Sequence, residues 1–258
     1  MTRALVTGGA RRLGRAMALC LAGRGHDVAI HYDTSRADAE ATAAEARALG
    51  VQAVTLQADL LSEDAAAALL PRAAAALGGP LSVLINNASI FEYDTIRSAT
   101  RESWDRHMGS NLRAPFLLTQ AMAAQGLGPD LSGPEPRATG LIVNMLDQRV
   151  RKLTPEFMTY TLAKMGLWAL TQTSAQALAP AIRVNAIGPG PTLQGARQSD
   201  SHFARQRAAT ILQRGAIPAD VTAALGFFLD SPSVTGQLIC TDGGQHLGWK
   251  TPDVLGME

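Results

Sequence analysis

Ala4-Leu5-Val6-Thr7-Gly8-Gly9-Ala10-Arg11-Arg12-Leu13-Gly14 decides the fold: a short apolar run enters a glycine-rich turn, and a helical pattern near 12–25 follows at once. Glycines let a backbone approach an anion closely, while the helix start presents free N–H groups and its positive dipole end. As a plain strand-to-helix connection such a turn is common. Its place here, at the first strand and first helix of a repeating pattern, points to a pyrophosphate site over Gly8, Arg11, Arg12, Leu13 and Gly14.

Outward from this turn, apolar runs at 4–7, 27–32, 52–57, 82–86, 141–145, 183–187 and 237–240 read as strands. Helical patterns near 36–49, 63–77, 101–126, 156–179 and 218–230 separate them. The alternation predicts an α/β domain: a doubly wound, parallel, seven-stranded sheet of Rossmann-like type, with right-handed crossovers and helices on both faces. A single domain is expected over 1–258. The stretch 126–137, with three glycines and three prolines, reads as a surface loop. An irregular stretch after the sixth strand, about 188–203, falls at the carboxyl edge where such sheets bind ligands and is the expected substrate loop.

Composition narrows the function. Hydrophobic residues make up 47% and charged residues 17%, enough apolar material to cover both faces of a sheet. A formal charge of +1, without long runs of like charge, argues against a nucleic-acid partner. Cys20 and Cys240 have neither metal-ligand nor disulfide-framework spacing, so no metal is expected. No apolar stretch reaches the roughly 18 residues of a membrane span, and Met1-Thr2-Arg3 leads straight into the first strand, so a cytoplasmic protein is expected.

The chemistry concentrates later in the chain. Asp147 stands 13 positions before Tyr160, which opens Tyr160-Thr161-Leu162-Ala163-Lys164. Residues four apart on a helix share a face, roughly 6 Å apart at the β-carbon. An ammonium so placed stabilises a phenolate and draws the phenol down from about 10, each unit being worth about 1.4 kcal/mol. Alone, the pair is equally a half-buried ring beside a solvated amine, and Asp147, after the apolar run 141–146, is equally a turn cap.

The second strand ends at Tyr32, before any carboxylate. Arg11, with Ser35 and Arg36 near that end, suits the 2′-phosphate of NADPH; Asp33 either binds a ribose hydroxyl, as for NADH, or repels the phosphate. Thr34 and Ser35 read equally as an N-cap for the second helix.

Taken together, Thr7-Gly8…Gly14, Asp59-Leu60, Asn86-Asn87-Ala88-Ser89, Asn111, Tyr160…Lys164 and Asn185-Ala186-Ile187-Gly188-Pro189-Gly190 resemble the short-chain dehydrogenase/reductase family along almost the whole chain. The resemblance implies Tyr160 as proton donor, Lys164 at the nicotinamide ribose, and Asn111 holding a relay water. It also implies Asp59 at the adenine, Asn87 and Ala88 on the adenosine side, Pro189 and Gly190 at the nicotinamide, Leu60 and Ser89 among the cofactor-binding residues, and a homotetramer built on the helices at 101–126 and 156–179.

Two departures narrow the branch. Arg12 stands where most of the family has glycine, and Asp147 where it has the active-site serine. Both are similar to the pteridine and dihydromonapterin reductases, as is Asn87-Ala88-Ser89-Ile90-Phe91, whose aromatic residue in those enzymes stacks on the pterin. The resemblance implies NADPH-dependent reduction of a dihydropterin, with Arg12, Phe91, Asp147 and Tyr160 around the substrate. A carbonyl or 3-oxoacyl-thioester reductase, and a non-catalytic dinucleotide sensor, stand as alternatives.

Overall fold

Seven strands pair in parallel in the order β3-β2-β1-β4-β5-β6-β7. In chain order they are β1 (Arg3–Val6), β2 (Asp27–Tyr32), β3 (Ala53–Gln57), β4 (Val83–Asn86), β5 (Gly140–Met145), β6 (Ile182–Pro189) and β7 (Leu238–Thr241). Between them run α1 (Arg12–Gly23), α2 (Arg36–Ala48), α3 (Glu63–Ala76), α4 (Arg101–Met108), α5 (Ala114–Ala123), α6 (Met158–Leu178), α7 (Asp200–Ala208) and α8 (Pro218–Asp230). This computed structural model describes residues 2–195 and 198–251. Of the expected domain and substrate loop, residues 1, 196–197 and 252–258 lie outside the described residues.

Alternation along the strands builds two apolar layers. Ala4, Val6, Val28, Ile30, Val83 and Ile85 face Met17, Leu21, Ala43, Leu225 and Phe228 on one side. Leu5, Ala29, Leu84 and Ile142 face Leu69, Leu70, Leu118 and Met122 on the other. Full burial of such a side chain contributes roughly 1.5–3 kcal/mol, so the sheet is held from both faces. A buried polar ladder adds direction to this packing: Asn86 Nδ2 donates to Asn144 Oδ1 (2.8 Å), Asn144 Nδ2 to Thr171 Oγ1 (2.9 Å), and Thr171 Oγ1 to the Leu167 carbonyl (2.8 Å). That ladder ties β4, β5 and α6 into one register.

Three details depart from the sequence expectation. The helix expected over 101–126 is α4 and α5 joined by a π-helical turn, Gly109–Arg113, with buried Asn111 inside it. Strand β6 runs on to Pro189 because Gly188 and Pro189 still pair with Cys240 and Thr241, so the expected substrate loop begins inside the sheet. Its far end, expected to be irregular, enters α7, which starts at Asp200 with Ser199 Oγ accepting the His202 N–H. The 126–137 loop is closed by reciprocal backbone hydrogen bonds between Asp130 and Arg137 (2.8 and 2.9 Å).

Candidate active site

The sheet order reverses between β1 and β4, and a crevice opens there at the carboxyl ends of the strands. Thr7 closes its floor. Its hydroxyl accepts the N–H groups of Asn87 (2.8 Å) and Ala88 (3.0 Å) and donates to the Ile85 carbonyl (3.2 Å). Asn87 Nδ2 returns to the carbonyls of Thr7 (2.8 Å) and Gly8 (3.2 Å).

The glycines here are required by space. A Cβ on Gly14 would stand 2.0 Å from the Gly8 carbonyl oxygen, and one on Gly8, whose φ is +60°, 3.1 Å from Ala88 Cα. Above them the first turn of α1 has no side-chain cap and no acidic residue, so its N–H groups face the crevice with the dipole end behind them. These residues fit a dinucleotide pyrophosphate.

His31, unmarked in the sequence reading, holds this turn. Its Nδ1 accepts the Gly8 N–H (3.0 Å) and its carbonyl the Gly9 N–H (2.9 Å), while Nε2 reaches the Ala58 carbonyl (3.0 Å). Accepting at Nδ1 fixes the Nε2–H tautomer. Burial pushes the imidazole below its ordinary range, so it is neutral. The signal that could have found it is a histidine that directly follows Val28-Ala29-Ile30 inside a run read as a strand.

Two adjoining cavities of about 500 and 920 Å³ share Arg12, Phe91, Asp147, Pro189, Gly190 and Leu193. The smaller gathers the expected Gly8, Arg11, Arg12, Leu13, Gly14, Asn87, Ala88, Ser89, Phe91, Asp147, Tyr160, Lys164, Pro189 and Gly190, and adds His31 and Asp33. Tyr32, Ser35, Asp59, Leu60 and Asn111 do not line it. Tyr32 packs on the α1–α2 layer and Leu60 on the opposite one. Ser35 sits at the N-cap position of α2 without making a cap bond, and Asp59 Oδ1 accepts the Leu61 N–H (2.9 Å). Asn111 spends its amide on Ile90, donating to its carbonyl and accepting its N–H, both at 2.8 Å. Arg11 is engaged too: its guanidinium pairs with Asp38 at 2.5 Å.

At the junction of the cavities, the Tyr160 hydroxyl donates to Asp147 Oδ2 (3.1 Å). Lys164 Nζ donates to the Met145 carbonyl (2.7 Å) and lies 5.6 Å from the Tyr160 ring centre. Phe91 stacks on Phe157 (4.3 Å, 8°) and meets the edge of Tyr160 (4.7 Å).

The electrostatics correct one expectation. Burial, and then the Asp147 carboxylate, push the Tyr160 phenol well above its ordinary range, with Arg149 and Ser89 opposing them; the expected fall beside Lys164 is absent. The phenol touches a carboxylate instead of the ammonium, so the neutral acid is the stable form. Burial also raises the Asp147 carboxyl, opposed by the Arg149 N–H and the charges of Arg149 and Lys164. Lys164 falls to about 8 through burial, with Asp147 opposing. Among the described residues no group of three or more His, Cys, Asp or Glu is arranged for a metal, and no helix is long and apolar enough to cross a membrane.

A family model described as short chain dehydrogenase matches residues 2–204. The chain belongs to that family. Among solved structures, FolM alternative dihydrofolate reductase 1 from Brucella suis in complex with NADP is 43% identical, with a TM-score of 0.90 over 98% of both chains. A blue fluorescent protein from a metagenomic library, in complex with NADPH, is 30% identical with a TM-score of 0.84, covering 95% of this chain and 97% of that one. The 3-oxoacyl acyl-carrier-protein reductase FabG of Staphylococcus aureus is 30% identical over 95% of this chain and 98% of its own length.

Two expectations follow from this geometry. Replacing His31 with Leu removes the acceptor of the Gly8 N–H, a bond worth about 0.5–1.5 kcal/mol, and should weaken NADPH binding about threefold to tenfold in a fluorescence titration. Unchanged affinity would show that the turn holds itself. Lys164 loses its ammonium above about pH 8, so kcat/KM should decline as pH rises through that value. A profile flat through that region would exclude the ammonium from the rate.

Proposed function

We propose that this chain is an NADPH-dependent pteridine reductase, converting a dihydropterin to its tetrahydro form. One observation carries the reading: a half-buried carboxyl, Asp147, accepts the Tyr160 hydroxyl at 3.1 Å. The 43% identity to dihydrofolate reductases of the FolM type, solved with NADP, supports it.

The nicotinamide, when bound, supplies the hydride. The chain's own residues handle position and protons. Gly8, the first turn of α1 and the Asn87–Ala88 loop would hold the dinucleotide at the switch point. Pro189 and Gly190 line both cavities and would border the nicotinamide on its substrate side. Phe91, held by Phe157, offers aromatic surface to a flat heterocycle.

Tyr160, a neutral phenol, provides the proton for a ring nitrogen. Asp147, raised by burial, either accepts a ring N–H or shares the proton with Tyr160. Lys164, cationic below about 8, faces the cofactor side and balances the carboxylate. Asn111, whose amide bonds the Ile90 main chain, holds the relay water in this reading. Arg12 donates to the carbonyls of Gln194 (2.9 Å) and Leu193 (3.0 Å), tying the turn to the substrate loop. Cytoplasmic placement and a homotetramer belong to the same reading.

The FabG likeness favours a second reading, a 3-oxoacyl-thioester reductase. That reaction needs a neutral hydroxyl near the carbonyl oxygen, where this chain has Asp147.

Cofactor choice is tested first. An arginine–phosphate contact contributes on the order of 1.5–3 kcal/mol, so NADPH should exceed NADH in kcat/KM by about tenfold to hundredfold, once the phosphate takes Arg11 from Asp38. Equal values would mean that Asp33 governs the ribose. Substrate class is tested by variants across a panel of dihydropterins, dihydrofolate, ketones and acyl thioesters. Tyr160→Phe should lose about 10²–10⁴-fold in turnover while retaining NADPH binding. Asp147→Ser should lose at least about tenfold on dihydropterins without lowering Tm in saturating NADPH. A folded Asp147→Ser protein with full dihydropterin turnover would pass the case to the second reading.

A further inference from the structure

Tyr160 is the third residue of α6, in a turn that its own sequence leaves uncapped. The helix begins after Phe157, whose φ of 56° is left-handed and whose side chain makes no cap hydrogen bond. First-turn N–H groups have no partner within a helix and need one from outside. Here the partner is Asp94, 65 positions before Thr159 and 3% exposed.

The main-chain carbonyl of Asp94 accepts the Met158 N–H (3.3 Å), and its Oδ1 accepts the Thr159 N–H (3.1 Å). Its Oδ2 accepts the hydroxyls of Thr159 and of Ser103, the latter at 3.0 Å. Ser103 belongs to the first turn of α4, where it completes a capping box with Thr100. One carboxylate therefore joins two helix N-termini, both of which favour an anion. Burial pushes this carboxyl upward, but the hydrogen bonds from Thr159 and Ser103 outweigh it and hold the group below its ordinary range.

A second branch leads to the tyrosine ring. Thr159 Oγ1, having donated to Asp94, receives His107 Nδ1 at 2.7 Å. His107 Nε2 accepts the Glu92 N–H (3.1 Å), which fixes the Nδ1–H tautomer. The fully buried imidazole then stands edge-on to Tyr160, with ring centres 6.0 Å apart and planes at 72°. None of these three groups lines either cavity, so they act through Tyr160 and not on a ligand.

We propose that Asp94, Thr159 and His107 form the positioning device of Tyr160: the carboxylate fixes the first turn of α6, and the imidazole braces the phenol ring, so that the hydroxyl stays on Asp147. The kinetic arm of its test rests on the reductase reading above; the spectroscopic arm does not.

Thr159→Val removes the hydroxyl that links carboxylate to imidazole, Thr159→Ser retains it, and Asp94→Asn removes the charge at constant shape. Thr159→Val and Asp94→Asn should each lower kcat for dihydropterin reduction by at least about tenfold with NADPH affinity unchanged, the scale expected when a reacting group is displaced. Thr159→Ser should keep most of the activity.

The chain has three tyrosines, so ¹³Cζ-tyrosine labelling gives three resonances, and Tyr160→Phe assigns the relevant one. That resonance should move in Thr159→Val and Asp94→Asn and stay in Thr159→Ser. Folded Thr159→Val protein with wild-type kcat and an unmoved resonance would overturn the proposal, as would a fall in Tm alone with the resonance in place. If Asp94→Asn does not fold, the Val and Ser pair decides. If the wild type reduces no dihydropterin, the reductase reading fails and the resonance decides this proposal by itself.

Discussion

The site depends on the knot that Thr7 ties between β1 and β4. A parallel sheet whose order reverses at these strands leaves a gap above their carboxyl ends, and the gap is useful only if its walls keep a fixed spacing. The Thr7 hydroxyl sets that spacing by accepting two N–H groups of the neighbouring loop and donating to Ile85. Asn87 answers with its amide to Thr7 and Gly8. His31 secures the turn from the other side, at Gly8 and Gly9. Every polar atom of the turn spent on these partners narrows its backbone freedom, and the N–H groups of α1 stay aimed at one place.

At the other end of the crevice, the arrangement trades stability for chemistry. Burying an ammonium lowers the Lys164 pKa, so near neutral pH the folded chain bears a desolvation cost that the unfolded chain does not. The sign is definite: with the folded pKa at about 8, below the ordinary lysine value of 10.5, the unfolded state holds more protons between them, and stability rises with pH across that window. Asp147 offsets part of the cost as counter-charge. The same carboxylate raises the phenol of Tyr160, so an acid in the serine position changes what the tyrosine can do. A phenol bonded to a carboxyl is suited to sharing a proton with a basic ring nitrogen, and less suited to donating toward a ketone oxygen.

Sequence periodicity revealed most of the fold because buried parallel strands read as unbroken apolar runs and their helices carry an apolar face. The tyrosine, lysine and glycine-rich turn were legible for a related reason: their spacing along the chain is their geometry. What stayed hidden depends on long-range contacts. Helix α7 has no buried residue, so it offers no apolar stripe to detect. The π-helical turn at Gly109–Arg113 keeps a continuous helical pattern and differs only in its hydrogen bonds. His31 looks like strand filler, and Asp94 like a loop carboxylate, until the partners 23 and 65 positions away are in place. The expected fall of the Tyr160 pKa failed because a four-residue spacing places Lys164 on the same face but not its ammonium at the phenol oxygen.

Backbone conformation connects these observations. Arg12 and Phe157 both have left-handed φ values, 52° and 56°, an arrangement that costs non-glycine residues of order 1–3 kcal/mol and collects at functional sites. Each is the residue at the start of a helix that carries site groups, α1 and α6. Glycine at position 12 would relieve the backbone but remove the guanidinium that reaches Leu193 and Gln194. Glycine at 157 would likewise remove the ring that stacks on Phe91 and lies 4.8 Å from the Arg149 guanidinium. At both places the side chain is what spans the space between helix start and substrate cavity, and the strained backbone is the condition for pointing it there.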